Sequence, residues 1–457
     1  MKINQLVIHF WMALIFVGLA SSCSRETDLK SETEVWITKA DKSMLFEKLL
    51  VSIPEGESDV TIKIDENTKF QEMLGFGFAL TQGSAQALLG LDTSTRKTLL
   101  EELYKENQNV IRISIGASDL SNSVYSYNEN VGDIEMQKFS FAGPDEQYLF
   151  PVLKEILEIN PDLKIMATPW SPPTWMKTNG TWIGGELKKE FYPAYANYFL
   201  KYVQAMKEIG FEIWAITPQN EPLNDENEPS MIMQAVDQLE FVDKYLGPTF
   251  EQHNIQTKII AYDHNCDEPG YPISVLNGTK YAEGAAFHLY GGDISAMSAV
   301  HEATNKDVFF TEQFVSSKGS FGGDLEWHVK NVLIGSTSNW SKTVIEWNLA
   351  SQSDFGPRTP GGCTECLGAV TINGAKDFEK NVSFYIIQHL SKFVKRGAHR
   401  ISSTAASLPH VTFLNPDGSK VLLAFNSEDK DLSIEIVNGE TSQKAVIPAK
   451  SAATIVF

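Results

Sequence analysis

The sequence predicts an α/β protein: a (β/α)8 TIM barrel with an all-β sandwich side domain formed by the N- and C-terminal segments. Three observations predict it. Between residues 70 and 350, eight short apolar, β-branched or aromatic runs alternate with longer helical patterns, the signature of repeated βα units and a parallel sheet. After residue 396 the pattern changes to period-two alternation. Similar runs at Glu34–Ile37 and Val60–Ile64 let strands from both chain ends pair in one unit beside the barrel.

The eight runs are Gln71–Leu80, Val110–Gly116, Lys164–Trp170, Glu212–Asn220, Lys258–His264, Gly284–Tyr290, Asp307–Phe314 and Lys342–Ala350. Helical patterns lie between them, as in Phe150–Ile159 and Tyr192–Ile209, where apolar residues recur at three- and four-residue spacing, and another, Lys380–Lys395, follows the eighth run. A nucleotide-binding open sheet would instead want a G-x-G-x-x-G turn between strand and helix. The glycines of Leu74-Gly75-Phe76-Gly77-Phe78 sit inside a strand-like aromatic run, which disfavours that fold. Further on, Val411–Leu414 and Val421–Phe425 flank Asn415-Pro416-Asp417-Gly418, a strong hairpin signal, and Leu432–Val437 and Ala445–Phe457 add strands. The expected divisions are a signal peptide over 1–22, a tether over 23–34, N-terminal sandwich strands over 35–66, the barrel over 67–395 and C-terminal sandwich strands over 396–457.

At the N-terminus, Lys2 precedes an apolar run from Leu6 to Ala20 and then Ser21-Ser22-Cys23. This resembles a bacterial lipoprotein signal, which implies cleavage ahead of Cys23 and lipidation of its thiol. The expected location is the cell envelope, lipid-anchored, at the outer membrane or cell surface of a Gram-negative bacterium. No later segment is long and apolar enough to span a bilayer. Cys363-Thr364-Glu365-Cys366 suits a local disulfide in an oxidising space, because a single C-x-x-C without a second pair or histidines is weak evidence for zinc. Cys266 reads as a buried thiol.

The charge balance narrows the partners. With 38 Lys+Arg against 58 Asp+Glu, a net charge of −20, nucleic acid is disfavoured and neutral substrates fit better.

In a barrel of this kind, chemistry sits at the C-terminal ends of the strands. Those ends are polar and aromatic: Ser118-Asp119, Pro169-Trp170, Asn220-Glu221-Pro222, Asp263-His264, His288-Leu289-Tyr290, Thr311-Glu312-Gln313 and Glu346-Trp347-Asn348. Glu221 and Glu312 end runs four and seven after strongly apolar stretches, where a charge is costly unless used. Two such carboxyls among aromatic rings suit glycoside hydrolysis, which needs one acid to protonate the departing oxygen and one carboxylate to attack the anomeric carbon. For Asp263 and His264, a core role and a site role explain the residues equally well.

Thr217-Pro218-Gln219-Asn220-Glu221-Pro222 and Phe310-Thr311-Glu312 resemble the acid/base and nucleophile motifs of glycoside hydrolase family 30, which includes glucosylceramidases. The resemblance covers nearly all of the chain after the signal. It includes Gly75-Phe76-Gly77, Arg112-Ile113-Ser114, the stretch from Ala167 to Gly180, His288-x-Tyr290, Trp347-Asn348-Leu349-Ala350, Phe384-Tyr385 and Ser391-Lys392-Phe393. It implies Glu221 as acid/base and Glu312 as nucleophile of a retaining reaction, with the two carboxyls about 5–5.5 Å apart. It also implies that Asn220, Asp119, Trp170, His288, Tyr290 and Trp347 form the substrate-binding set, Tyr290 bonding the nucleophile and His288 buttressing it. Arg112 would keep Glu312 paired and ionised. Leu289 and the loop from Asp354 to Leu367 depart from the glucosylceramidase pattern on the leaving-group side of the cleft.

The function implied is a β-glucosidase of the retaining type, endo-acting on β-1,6-glucan, with glucosylceramidase, exo-β-glucosidase or β-xylosidase as alternatives. A non-catalytic glycan-binding lipoprotein is the alternative of another class, and it would not need both glutamates. The partners implied are a β-glucan or other β-glucoside and, through the lipid, a membrane. No cofactor and no metal is expected, since the carboxylate pair is accounted for without one.

Overall fold

Eight parallel strands close into a barrel in chain order: β1 (Gly75–Ala79), β2 (Val110–Ser114), β3 (Lys164–Thr168), β4 (Ile213–Ile216), β5 (Lys258–Cys266), β6 (Ala282–Gly292), β7 (Asp307–Glu312) and β8 (Ser341–Asn348), with β8 pairing back to β1. Each lies on one of the eight predicted runs. The structure is a computed structural model and describes residues 33–49, 56–141 and 143–457. The expected signal peptide over 1–22, the lipid-bearing Cys23 and the tether up to residue 32 lie outside the described residues.

Gly77 has a packing reason. A Cβ there would stand 1.9 Å from the Val110 carbonyl oxygen, so only glycine lets β1 lie this close to β2. Crossover helices such as Thr93–Tyr104, Phe150–Ile159 and Tyr192–Glu208 coat the barrel. Asp92 caps the first by accepting from the Thr95 N–H at 2.8 Å. In the last, Tyr195, Tyr198, Phe199, Tyr202 and Met206 recur at helical spacing and are all buried. Inside the barrel, Met166, Ala215, Ile260, Ala286 and Phe309 form a separate apolar floor beneath the polar strand ends.

Beside the barrel stands one nine-stranded sheet, in the order Leu45–Lys48, Glu34–Lys39, Ser451–Val456, Lys420–Asn426, His410–Leu414, His399–Thr404, Val60–Glu72, Leu432–Asn438, Thr441–Ile447. It folds over its own core: Ile37, Leu422 and Ile455 from one half pack with Ile434, Ile436 and Ile447 from the other. Strands from both chain ends therefore share one sandwich. Its strand Val60–Glu72 continues past the expected division at 66, taking Gln71 and Glu72 from the first predicted run, and Glu34 already pairs as strand. At Asn415–Gly418 the predicted hairpin closes, with Gly418 at φ 88, a conformation glycine adopts without strain. Among the described residues, no helix is long and apolar enough to cross a membrane.

Candidate active site

The side chains at the strand ends converge on one buried cation. Arg112, from β2, has no solvent exposure; its Nη1 donates to Glu312 Oε2, and its Nη2 donates to Asn220 Oδ1 at 2.6 Å and Asp263 Oδ2 at 2.9 Å. Asp263 collects the rest of the floor. It accepts from Thr217 Oγ1 at 2.8 Å, from Thr311 Oγ1 at 2.7 Å and from His288 Nε2 at 3.1 Å. Burial would raise the Asp263 carboxyl, but the Arg112 charge and these hydrogen bonds hold it far below the usual carboxylate range.

A bulge puts Asp263 there. Tyr262 and Asp263 both have positive φ, at 74 and 69, and the pairing of β5 with β6 shifts register between Tyr262 and His264. Ile260 points into the barrel, so strict alternation would send Tyr262 and His264 inward and Asp263 outward. The extra residue sends Tyr262 into the outer core and turns Asp263 to the axis. His264 packs edge-on to Tyr262, and its Nδ1 is buried without a protein partner.

Glu221 also sits in a left-handed conformation, at φ 43, with its N–H bonded to the Asp263 carbonyl at 2.9 Å. Such a backbone costs about 1–3 kcal/mol and survives only where the surroundings impose it. Its Oε1 lies 3.1 Å from His288 Nδ1, while its Oε2 accepts from Asn224 Nδ2 at 2.7 Å and Asn227 Nδ2 at 3.4 Å. Glu312, beyond the end of the barrel floor, accepts from Tyr290 Oη at 3.0 Å on Oε1, 3.8 Å from the same His288 nitrogen. One oxygen of each glutamate and a His288 nitrogen all lie within 4.8 Å of one another.

These contacts order the protons. Burial works against ionising Glu221, yet the hydrogen bond and charge of His288 outweigh it and hold that carboxyl below its ordinary value. Burial raises Glu312, and His288 and Arg112 offset this only in part. The expected pairing of Glu312 with Arg112 and Tyr290 is present, but burial opposes the ionisation it favours. For His288, burial alone would lower the ring; the charge of Glu312 and the hydrogen bonds to Asp263 and Glu221 push it up to about 9.

Above this floor lies a cleft lined by Asp119, Trp170, Asn224, Asn265, Tyr290 and Trp347, with both glutamates at its base. The rings of Trp170 and Trp347 are 5.4 Å apart, and the Arg112 guanidinium is 5.0 Å from the first and 5.8 Å from the second. Tyr290 is 37% exposed, the most open ring at the mouth. Asp119 is buried, which pushes its carboxyl up to about 7, with the Glu312 charge adding to the shift and the Cys363 backbone N–H opposing it. Cys363 and Cys366 are disulfide-bonded on the cleft wall. Cys266 is buried, its thiol pushed up to about 12 by that burial.

One placement differs from the sequence reading. His288, counted there among the substrate-binding set, is fully buried with both ring nitrogens taken by Glu221 and Asp263, so it holds carboxylates and does not reach the cleft lining. Asn224 and Asn227, on the acid-side loop, went unnoticed because short asparagines in a loop look like ordinary turn residues. Their position three and six residues after Glu221 was the available signal.

With this geometry, the comparisons with known proteins agree. Residues 73–394 match the glycosyl hydrolase family 30 TIM-barrel domain and residues 397–455 its β-sandwich domain. The chain belongs to glycosyl hydrolase family 30. Within the family it is similar to an endo-1,6-β-D-glucanase of Neurospora crassa, at 32% identity over 418 residues, covering 85% of this chain and 86% of the relative. The lysosomal acid glucosylceramidase of Mus musculus is 29% identical over 412 residues, covering 82% of this chain and 79% of the relative. The solved structure of an endo-β1,6-glucanase matches with a TM-score of 0.88 at 34% identity, covering 93% of this chain and 98% of that one. This family 30 member is a glycoside hydrolase.

Proposed function

We propose that the cleft hydrolyses β-1,6-linked glucan from within the chain, with retention of configuration. The observation that carries the mechanism is the approach of Glu221 and Glu312, an oxygen of each within 4.8 Å, which suits the close spacing of a retaining enzyme. Glu312 attacks the anomeric carbon while Glu221 gives its proton to the departing glycosidic oxygen. The covalent glycosyl-enzyme is then opened by water, from which Glu221 takes a proton.

His288 keeps a proton beside both glutamates, so the three groups titrate together. Among the protein groups alone, Glu221 is the more readily ionised. Bound sugar reverses this: a glycosidic oxygen at Glu221 Oε2 displaces the Asn224 amide and favours the protonated acid, while positive charge developing at the anomeric carbon favours ionised Glu312. Asn220 Oδ1 accepts from Arg112 Nη2, leaving its amide nitrogen to donate to the 2-hydroxyl. Asp119 and Trp170 hold outer hydroxyls, and Trp347 covers an apolar sugar face.

The names of the fungal relatives and of the solved glucanase support the β-1,6 linkage. The likeness to glucosylceramidase favours a second reading, a glucosyl lipid. The asparagines Asn224, Asn227 and Asn265 on the cleft wall favour a hydroxylated leaving group over a lipid chain. Digestion of pustulan decides: short gentio-oligosaccharides as first products support endo action, glucose alone as first product overturns it, and no cleavage overturns the linkage.

The location belongs to the same reading. The apolar run from Leu6 to Ala20 followed by Ser21-Ser22-Cys23 supports lipid attachment at Cys23 and a place on the envelope surface. Release of Cys23→Ala from the membrane fraction supports it, and unchanged membrane retention overturns it.

A further inference from the structure

The loop 354–367, which follows β8, ties together three strand ends that carry the site. Toward the end of β2, Thr359 N donates to the Asp119 carbonyl at 2.9 Å and its Oγ1 to the same oxygen at 3.2 Å. Toward the loop after β4, which carries Glu221, Thr359 Oγ1 reaches the Glu228 carbonyl at 2.6 Å, and Gly361 N donates to Glu228 Oε2 at 3.0 Å. Toward the end of β7, just past Glu312, Val315 and Ser316 pair as antiparallel strand with Leu367 and Cys366, and Lys318 pairs with Glu365.

At the centre of this loop is the disulfide of Cys363 and Cys366. Cys366 is 3% exposed and packs with Leu120, Trp170 and Trp347, and the half-buried Cys363 packs against the same cluster. The approach is close: a Cβ on Gly362 would stand 2.1 Å from the Asp119 carbonyl oxygen. A bridge across so few residues removes little freedom from the unfolded chain, so it adds little to global stability. Its effect falls on the loop itself. Two separate thiols need more room than a bonded pair, and the indole rings packed against Cys366 crowd it on one side, so opening the bridge shifts the loop.

We propose that the Cys363–Cys366 disulfide is a positioning element of the sugar site, holding loop 354–367 in the form that fixes Asp119 and the two indoles. This rests on the reading of Asp119 as a sugar-binding group. Reduction by a dithiol transfers two electrons and two protons: the sulfur–sulfur bond breaks, two thiols form, and the reductant closes into its own disulfide. The substrate then meets a loosened Asp119 and binds less well, while the glutamates, held by Arg112 and His288, keep their places.

Three forms of the full chain test this on pustulan oligosaccharides: native enzyme, enzyme reduced with dithiothreitol and then reoxidised, and the double variant Cys363→Ser/Cys366→Ser. Reduced enzyme and the double variant should raise KM about tenfold while kcat falls less than about threefold, and reoxidation should restore KM. An unchanged KM in reduced enzyme whose thiols have been titrated overturns the proposal, even if the melting temperature falls. Should the double variant fail to fold, reduction and reoxidation of native enzyme give the answer alone. Asp119→Asn separates the premises: if KM stays unchanged there, the reading of Asp119 fails and the proposal with it, whereas a raised KM there beside an unchanged KM on reduction overturns the disulfide's role alone.

Discussion

Arg112 and Asp263 meet at 2.9 Å with neither side chain exposed, and this ion pair is the point from which the rest of the site is hung. Arg112 orients Glu312 and Asn220; Asp263 orients His288, which orients Glu221. A buried pair of this kind is costly to break, because removing one charge leaves the other without compensation.

Asp263→Asn should therefore destabilise the fold by about 3–5 kcal/mol and lower kcat/KM together with it, as Arg112 loses its counter-charge and one of the two acceptor oxygens facing Arg112 and His288 becomes a donor. Chemical denaturation alongside kinetics at a temperature where the variant is folded checks this. A stable variant with native kinetics would show that the network is dispensable.

The two glutamates should separate by leaving group. Glu312→Gln should abolish turnover of every substrate, whereas Glu221→Ala should lose roughly 10²–10⁴-fold on glucan and far less on an aryl β-glucoside whose phenol departs without a proton. Equal losses on both substrates for Glu221→Ala would contradict its role as acid.

Asn224 tunes that acid. Its amide donates to Glu221 Oε2 at 2.7 Å and so favours the ionised form, one of the influences holding this carboxyl down. Removing the donor in Asn224→Ala raises the Glu221 pKa, so the proton is kept to higher pH. The basic limb of kcat/KM should move upward in pH. A downward or absent shift would be evidence against the assignment.

Between barrel and sandwich, His389 gives the stability a pH dependence of defined sign. The Thr454 hydroxyl donates to the His389 carbonyl, so His389 Nδ1 donates to Thr454 Oγ1, and Nε2 accepts from Thr38 Oγ1. The ring is neutral, and burial lowers its pKa to about 3. Its unfolded value is 6.5, so the unfolded chain binds the proton first; this contribution is absent above pH 6.5, and stability falls as pH drops from 6.5 toward 3. His389→Gln should flatten that part of the curve, measured by melting temperature from pH 7 to pH 4.

Much of this was legible along the chain. The eight apolar runs became the eight barrel strands because a strand covered on both faces must be apolar throughout, a signal that needs no knowledge of its neighbours. Glu221, Glu312, Asp119, Trp170, Asn220, Tyr290 and Trp347 stand together because barrel topology gathers all strand ends on one rim. Asp263 was not legible as the hub. Period-two counting from Ile260 points it away from the axis, and only the bulge at Tyr262 reverses that. His288 was legible in part: its buttressing of the carboxylates was expected, but its place in the substrate-binding set was not kept, because a histidine at a strand end can face the cleft or the floor and the partners on neighbouring strands decide.

By itself the sequence determined which segments are strands and helices, which end of the barrel holds chemistry, and which two carboxyls stand there, since periodicity and local composition carry those facts. Only the tertiary structure decided the proton order of Glu221, His288 and Glu312, the bulge that turns Asp263 to the axis, and the reach of loop 354–367 across three strand ends. Those depend on distances between residues far apart in the chain, and a strongly shifted pKa or a buried hydrogen-bond network arises only once such residues share a low-dielectric space that water has left.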